Sequence, residues 1–208
     1  ALLLGTPFVI LDTMSPRVVA EAVERFQIRW IMAVPSFYEM MIDYLCDQTS
    51  SRDHDLSSLR VLEAGGAYVP ETTLERIEEL LPARFVPVWG CTEATGVAIA
   101  NGPEERRQGS TGRAMPGYDV RVVDASGQDV PVGEVGEMIL RGPAMTSGYV
   151  RNAEETERLY RGGWYYTQDL VTQDEEGWFF FVGRKSEMLK IGGIRVSPLE
   201  IERVIGLH

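Results

Sequence analysis

The residues best suited to chemistry in this 208-residue chain follow one another at Trp89-Gly90-Cys91-Thr92-Glu93. An apolar run at 84–88 precedes them and predicts a buried strand. They supply an aromatic ring, a glycine, a hydroxyl and a carboxylate in quick succession. Because α/β proteins present ligand-binding groups where a strand ends in a tight glycine turn, the spacing predicts a small-molecule site. From these residues alone, a core tryptophan followed by a solvated Thr-Glu loop remains the alternative.

The segments that must hold this loop alternate between apolar runs and amphipathic helical patterns. Pro16, Pro35 and Pro70 each open a pattern of helical spacing, as proline does in the first turn of a helix. The predicted strands between these helices cover residues 8–11, 28–34, 59–64 and 85–88. Strands that alternate with helices favour a mostly parallel sheet covered by helices. We therefore expect an α/β subdomain over residues 1–108.

The next part of the chain changes character and is rich in short strands. Glycine, proline and acidic turns separate the predicted strands at 118–123, 136–140, 170–172 and 178–182. One short helix is predicted after Asn152, because Glu155 three residues later completes a capping box. Residues 109–185 are thus expected to form an antiparallel sheet or partial barrel.

The last residues predict the start of a smaller α+β domain over 186–208. Gly192-Gly193 separates two short apolar runs and is typical of a hairpin turn. Ser197-Pro198, with Glu200 following, is a strong signal for a helix start. The chain begins inside an apolar segment and ends within this helical pattern, so we expect a fragment.

Composition narrows the class of protein. The chain is 44% apolar and 25% charged with a formal net charge of −11, so nucleic acid is not expected as a partner. Two cysteines and two histidines are too few for a disulfide framework, a cysteine-rich metal site or a histidine-based metal centre. No apolar run has the length of a membrane span and no signal peptide is evident, which favours a cytoplasmic protein.

Several separated motifs in a fixed order resemble the adenylate-forming (AMP-binding) enzymes, and most of all the acyl-CoA synthetases. The motifs are Gly65-Gly66-Ala67, the segment 89–93, Gly136-Glu137, Arg141-Gly142-Pro143, Gly148-Tyr149, the segment 164–169, Gly183-Arg184 and the segment 195–202. Each motif is weak alone, but their order is specific, and the resemblance covers nearly the whole chain. Enzymes of this family join a carboxylate to ATP as an acyl-adenylate and then pass the acyl group to a thiol.

The resemblance implies roles for the residues of the central loop. Trp89 would stack on adenine while Gly90 keeps the turn open. Thr92 would meet the α-phosphate through its hydroxyl, and Glu93 would hold Mg²⁺. Thr92 and Glu93 are accordingly the predicted catalytic residues.

Further nucleotide and thiol contacts are implied elsewhere in the chain. Asp169 would accept hydrogen bonds from the ribose hydroxyls, and Arg184 would also contact the ribose; ordinary surface charges are the alternative. Gly65, Gly66 and Ala67 would let the nucleotide and the acyl carbonyl approach the backbone, or they form an ordinary strand-to-helix turn. Gly193 would line the pantetheine tunnel of coenzyme A, or it belongs to a plain hairpin.

Two positions depart from the family pattern. Gln168 stands where the family usually has glycine, so a turn that needs a positive φ would be strained. Ser186 stands at the family's hinge between its large and small domains, where aspartate or lysine is common. We expect a small polar residue to allow the same rotation.

Two cationic contributors of the family are expected outside this sequence, a lysine in an upstream phosphate loop and a lysine on the small domain. Neither Lys185 nor Lys190 matches them, so this piece is expected to be inactive alone.

The resemblance implies an ATP-dependent carboxylate–CoA ligase that uses ATP, Mg²⁺ and coenzyme A on a fatty or aryl acid. An enzyme that loads an acyl or aminoacyl group onto a carrier protein, and a non-catalytic nucleotide-binding module, remain alternatives. Gln168, Ser186 and the lysines missing from this sequence motivate the module as an alternative to the ligase. The acid, the acceptor and the oligomeric state, a homodimer included, stay open.

Overall fold

The computed structural model of the chain describes residues 5–47, 54–102, 104–192 and 194–205. The chain divides into two compact units, residues 1–85 and 86–208. This division falls within one strand, whereas the boundaries expected at 108/109 and 185/186 follow changes in the character of the sequence. Those domain boundaries stay a prediction.

The first unit joins parallel strands to helices. Its elements are α1 (Pro16–Phe26), β1 (Trp30–Ala33), α2 (Pro35–Cys46), β2 (Val61–Ala64), α3 (Glu71–Leu80) and the start of β3 (Arg84–Cys91). β1 and β2 pair in parallel, with Trp30 opposite Val61 and Ala33 opposite Ala64. Proline occupies the first turn of α1 and of α2, where its missing N–H has no helical partner to lose. The predicted alternation of strand and helix is confirmed.

One hydrophobic core holds the first unit together. Residues from all three helices pack against Leu62 on β2 and against Phe85, among them Val23, Tyr38 and Ile77. The Tyr38 hydroxyl donates hydrogen bonds to the carbonyl oxygens of Ile31 and Glu63, at 3.1 and 2.9 Å. Burial raises the pKa of this phenol, so it stays a neutral donor.

The strand predicted at 8–11 is wrong. Those residues have no regular secondary structure, and the Phe8 and Ile10 side chains are 57% and 81% exposed. An apolar run becomes a strand only when a neighbouring strand takes up its backbone hydrogen bonds. Among the described strands none pairs with this segment.

The second unit is antiparallel. Its elements are the end of β3, a 3₁₀ turn (Thr92–Ala94), β4 (Gly96–Ala100), β5 (Arg113–Ala114), β6 (Asp119–Val123), β7 (Gly136–Arg141), α4 (Ala153–Leu159), β8 (Tyr160–Arg161), β9 (Trp164–Gln173), β10 (Phe179–Arg184), β11 (Leu189–Ile191), β12 (Ile194–Val196) and α5 (Pro198–Ile205). β3, β4 and β5 pair in sequence, and a second sheet has the order β10-β9-β7-β6 with β8 added to β9. Register shifts on both sides of β9 bend this sheet, as β-bulges do. The predicted antiparallel half is confirmed.

The helices of this unit begin where their capping residues predict. The Asn152 side chain accepts a hydrogen bond from the Glu155 backbone N–H at 3.2 Å. Ser197 precedes α5 and accepts from the Leu199 backbone N–H at 3.2 Å. The β11–β12 hairpin pairs Ile191 with Ile194, as its glycine turn predicts. In the described ranges, no helix is both long and apolar enough to span a bilayer.

Candidate functional site

The end of β3 places the central loop by a close approach of two backbones. The register of β3 against β4 shifts between Trp89 and Gly90. A methyl group at Gly90 would lie 2.8 Å from the carbonyl carbon of Gly96 and 2.9 Å from the Val97 Cα. Only glycine fits there without moving a strand. The 3₁₀ turn that begins at Thr92 follows at once and carries Thr92, which is exposed, and Glu93, which is half-buried.

Asp169 lies at the centre of a three-residue cluster. The indole N–H of Trp89 donates to Asp169 Oδ2 at 2.9 Å. The Nε of Arg184 donates to Asp169 Oδ1 at 2.8 Å, and Asp169 and Arg184 are also opposite residues on β9 and β10. The structure thus brings together three residues that the sequence analysis selected from motifs far apart in the chain.

The cluster pairs a buried carboxylate with a half-exposed cation. The Asp169 side chain is 5% exposed, whereas that of Arg184 is 50% exposed. The hydrogen bond to Asp169 and the negative charge of that carboxylate raise the pKa of Arg184, so the guanidinium remains charged. A buried carboxylate needs such a partner, because unpaired buried charge is strongly unfavourable.

Glu93 is held by tyrosines. The hydroxyl of Tyr149 donates a short hydrogen bond to Glu93 Oε1. Burial by itself would raise the pKa of Glu93, but hydrogen bonds from Tyr149, from the Glu93 backbone, and from Cys91 and Tyr165 lower it below the ordinary value. Glu93 is therefore an anion at neutral pH. The neighbouring Cys91 thiol is neutral, because burial raises its pKa to about 12.

The tyrosines around Glu93 form a continuous group. The rings of Tyr149 and Tyr160 lie 6.2 Å apart edge to face, and those of Tyr160 and Tyr165 lie 5.0 Å apart. The Thr146 backbone N–H donates to the Glu93 carbonyl oxygen at 2.7 Å. Sequence reasoning gave Tyr149 no role. Its place in the Gly148-Tyr149 motif was the available signal.

The predicted glycine turn lies in the first unit, directly after β2. Gly66 has φ of 86°, which favours glycine, and it is exposed like Ala67. Gly65 is half-buried. The geometry fits an ordinary turn as well as a ligand-binding one, so the role of these residues stays a prediction. Gly193 lies outside the described residues.

The described ranges contain no group of three or more His, Cys, Asp or Glu side chains that could hold a metal ion by themselves.

The sequence identifies the family in which this fold and cluster occur. Residues 1–150 match the profile of the AMP-binding enzymes, described as "AMP-binding enzyme", and the chain belongs to that family.

Particular members of the family are similar over nearly the whole chain. The indoleacetate–CoA ligase of Aromatoleum aromaticum is 33% identical over 208 residues, which cover 99% of this chain and 40% of the relative. The medium/long-chain-fatty-acid–CoA ligase FadD8 of Mycobacterium tuberculosis is 34% identical, with 98% and 36% covered. A crystal structure of the anthranilate CoA ligase AuaEII with anthranoyl-AMP superimposes with a TM-score of 0.89 at 30% identity, over 98% of this chain and 39% of that one. The chain thus spans about two fifths of the length of these relatives.

Proposed function

We propose that the protein to which this chain belongs is an ATP-dependent carboxylate–CoA ligase. It would first join a carboxylate to the α-phosphate of ATP, releasing pyrophosphate, and then transfer the acyl group to the thiol of coenzyme A, releasing AMP. The observation that carries this proposal is the convergence of Trp89, Asp169 and Arg184 in one cluster of an AMP-binding chain.

Asp169 suits the ribose by its count of acceptor sites. A carboxylate has about four lone-pair sites on its two oxygens. Trp89 and Arg184 each use one, which leaves about two, as many as a ribose has hydroxyls. Because Asp169 is nearly covered and Arg184 is half-exposed, we expect the Arg184 side chain to shift when the nucleotide enters.

Trp89 has two functions in this proposal. Its indole N–H orients Asp169, and its ring, which is half-buried at the strand end, offers a face for adenine. Thr92, exposed at the start of the 3₁₀ turn, would donate its hydroxyl to the α-phosphate.

Glu93 fits a magnesium ion by its chemistry. Mg²⁺ prefers oxygen ligands and is commonly held by one or two carboxylates together with substrate phosphates and water. Glu93 provides one carboxylate that is ionised at neutral pH and fixed in direction by Tyr149. When bound, the ion would offset the negative charge of the phosphates.

The acid and the acceptor belong to the proposal as well. The relatives are named for indoleacetate and for medium and long fatty acids, which supports an aryl or fatty acid here. Coenzyme A is the acceptor that both relatives' names give. Loading of a carrier protein is the alternative, and cytoplasmic location stays a prediction from the sequence.

Carboxylate-dependent exchange of pyrophosphate into ATP, measured on the full-length protein with a panel of aryl and fatty acids, tests the first step. We expect exchange with at least one acid, followed by thioester formation when coenzyme A is added. Absence of exchange across the panel would overturn the proposal. Thioester formed on a carrier protein but not on coenzyme A would reassign the acceptor.

Glu93→Gln should reduce the exchange rate about 100-fold, the order of loss when one charge-stabilising group is removed from a reaction centre. The pairing of Glu93 with Mg²⁺ predicts in addition a higher Mg²⁺ concentration for half-maximal rate. Glu79→Gln, the same change at an exposed position of α3, serves as the control. An unchanged Mg²⁺ dependence in Glu93→Gln would refute the metal assignment.

A further inference from the structure

A second buried carboxylate lies next to the Asp169 cluster on the neighbouring strand, and the chemistry proposed above does not use it. Glu137 on β7 is 2% exposed. It accepts hydrogen bonds from Lys185 Nζ at 2.5 Å, from the Gln168 side-chain Nε2 at 2.9 Å and from the Gln168 backbone N–H at 3.1 Å. An ion pair and two amide donors together stabilise a charge that burial would otherwise disfavour.

The backbone conformation of Gln168 accounts for the hydrogen bond that the Glu137 carboxylate accepts. Its φ is 66°, a left-handed conformation that glutamine rarely adopts, and it directly precedes Asp169. The register of β7 against β9 shifts just after Glu137. The Glu137 carboxylate therefore takes up a backbone N–H that a regular ladder would pair with a carbonyl. Whatever fixes Gln168 in this conformation also fixes the direction of the residue after it.

The end of β10 holds both carboxylates at once. Arg184 donates to Asp169, and Lys185 donates to Glu137. Between them, the Lys185 backbone N–H donates to the Gln168 carbonyl oxygen at 2.8 Å. The consecutive cations Arg184 and Lys185 thus form ion pairs with two carboxylates, and the hydrogen bond to Gln168 lies between these two ion pairs.

We propose that Glu137 and Lys185 are positioning residues that set the Asp169 carboxylate for the ribose by fixing the left-handed turn at Gln168. The inference rests on the proposed function for its ligand, a ribonucleotide. It assigns the recognition of the ribose hydroxyls partly to an ion pair that acts through Gln168 rather than by its own contact. It also gives Gln168 a reason to stand where the family pattern has glycine.

The test is discrimination between ATP and 2′-deoxy-ATP. Dissociation constants of both nucleotides are measured by titration calorimetry on the full-length protein, and their ratio is compared among variants. A variant that merely loses stability weakens the binding of both nucleotides equally and leaves the ratio unchanged. A variant in which Asp169 is misdirected weakens the binding of ATP more than that of 2′-deoxy-ATP.

We expect the wild type to prefer ATP, and Lys185→Gln to reduce that preference about tenfold, the value of one hydrogen bond to a charged group. Lys185→Arg keeps the cation and should retain the preference for ATP. Arg141→Gln is the control: Arg141 lies on β7, as Glu137 does, but forms an exposed ion pair with Asp119, so its loss should leave the ratio unchanged.

Other outcomes overturn the inference. An unchanged ratio in Lys185→Gln would show that the ion pair only stabilises the fold. A wild type that does not distinguish the two nucleotides would show that there is no recognition of the 2′-hydroxyl for the ion pair to support. If Lys185→Gln is insoluble, the double variant Glu137→Gln/Lys185→Gln leaves no unpaired charge: a reduced ratio supports the inference, and a wild-type ratio refutes it. Pyrophosphate exchange is measured separately, so loss of the proposed activity is distinguished from failure of the positioning role.

Discussion

At the scale of the single residue, the ionisation of Glu93 depends on Tyr149. Tyr149→Phe removes a hydrogen bond that lowers the pKa of Glu93, so that pKa should rise. A carboxylate with a lowered folded-state pKa contributes stability that is fully present above its unfolded pKa of about 4.3 and is lost as pH falls through the folded value. We therefore expect Tyr149→Phe to reduce the free energy of unfolding by about 1 kcal/mol at pH 7 and by less near pH 4.

Urea denaturation of both proteins at the two pH values measures this difference. Tyr166→Phe is the control, because the Arg161 guanidinium lies 3.6 Å from the Tyr166 ring centroid, a contact that phenylalanine retains. A loss of stability in Tyr149→Phe that does not change with pH would show that the hydroxyl stabilises something other than the anion.

The sequence alone predicted some residues of the candidate site and gave no role to others. Trp89, Asp169 and Arg184 were found because each belongs to a motif with its own local pattern. Tyr149 and Glu137 also lie in quoted motifs but were given no role, because the motifs do not show that they contact Glu93 and Gln168, which lie 56 and 31 residues away along the chain. A local pattern contains no information about which distant side chain it will meet.

At the scale of the element, the approach of β3 to β4 determines where the central loop begins. Gly90→Ala would force a methyl group against the backbone of Gly96 and Val97. Since backbone cannot rotate away as a side chain can, we expect a loss of about 1–3 kcal/mol in the free energy of unfolding, as in overpacked cores. Chemical denaturation measures it.

Gly102→Ala is the matched control for that prediction. Among the described residues other than its chain neighbours, the nearest atom to a methyl group there would lie 3.7 Å away, which is ordinary van der Waals distance. We expect its stability to change by no more than about 0.5 kcal/mol. Equal effects of the two substitutions would contradict the close approach of β3 and β4.

The helices were more predictable than the strands, for a physical reason. Helical hydrogen bonds are local, so the prolines at 16, 35 and 198 and the cap at Asn152 suffice to mark where α1, α2, α5 and α4 start. A strand depends on a partner elsewhere. Residues 8–11 have strand composition and form none, whereas β4, at Gly96–Ala100, was missed and pairs with both β3 and β5.

At the scale of the whole molecule, the exposed apolar surface of the first unit limits how the 208-residue chain behaves alone. Trp30 and Met32 are two residues apart on β1 and therefore lie on one face of the sheet, where they are 59% and 63% exposed. Parallel sheets are normally covered on both faces. We expect the isolated chain to self-associate in a concentration-dependent way that sedimentation velocity will detect.

Met32→Lys should weaken this association, because it places a charge on the exposed face that would form the contact. The residue paired with Met32 on the neighbouring strand is Glu63. Val150→Lys is the control: it makes the same charge change at a 91% exposed valine in the second unit. A chain that remains monomeric at every concentration, or an equal effect of the two substitutions, would contradict this role of the β1 face.

The contact between Gly183 and Ser197 has a consequence for sequence variation. α5 packs against β10, and a side chain at 183 would place its Cβ 2.6 Å from the Ser197 hydroxyl oxygen. Ser186, the predicted hinge, lies between these two residues in the chain. A larger residue at 183 would require the Ser197 side chain, which lies just before α5, to move. The absence of a side chain at 183 therefore permits this close contact between β10 and the segment that follows the predicted hinge.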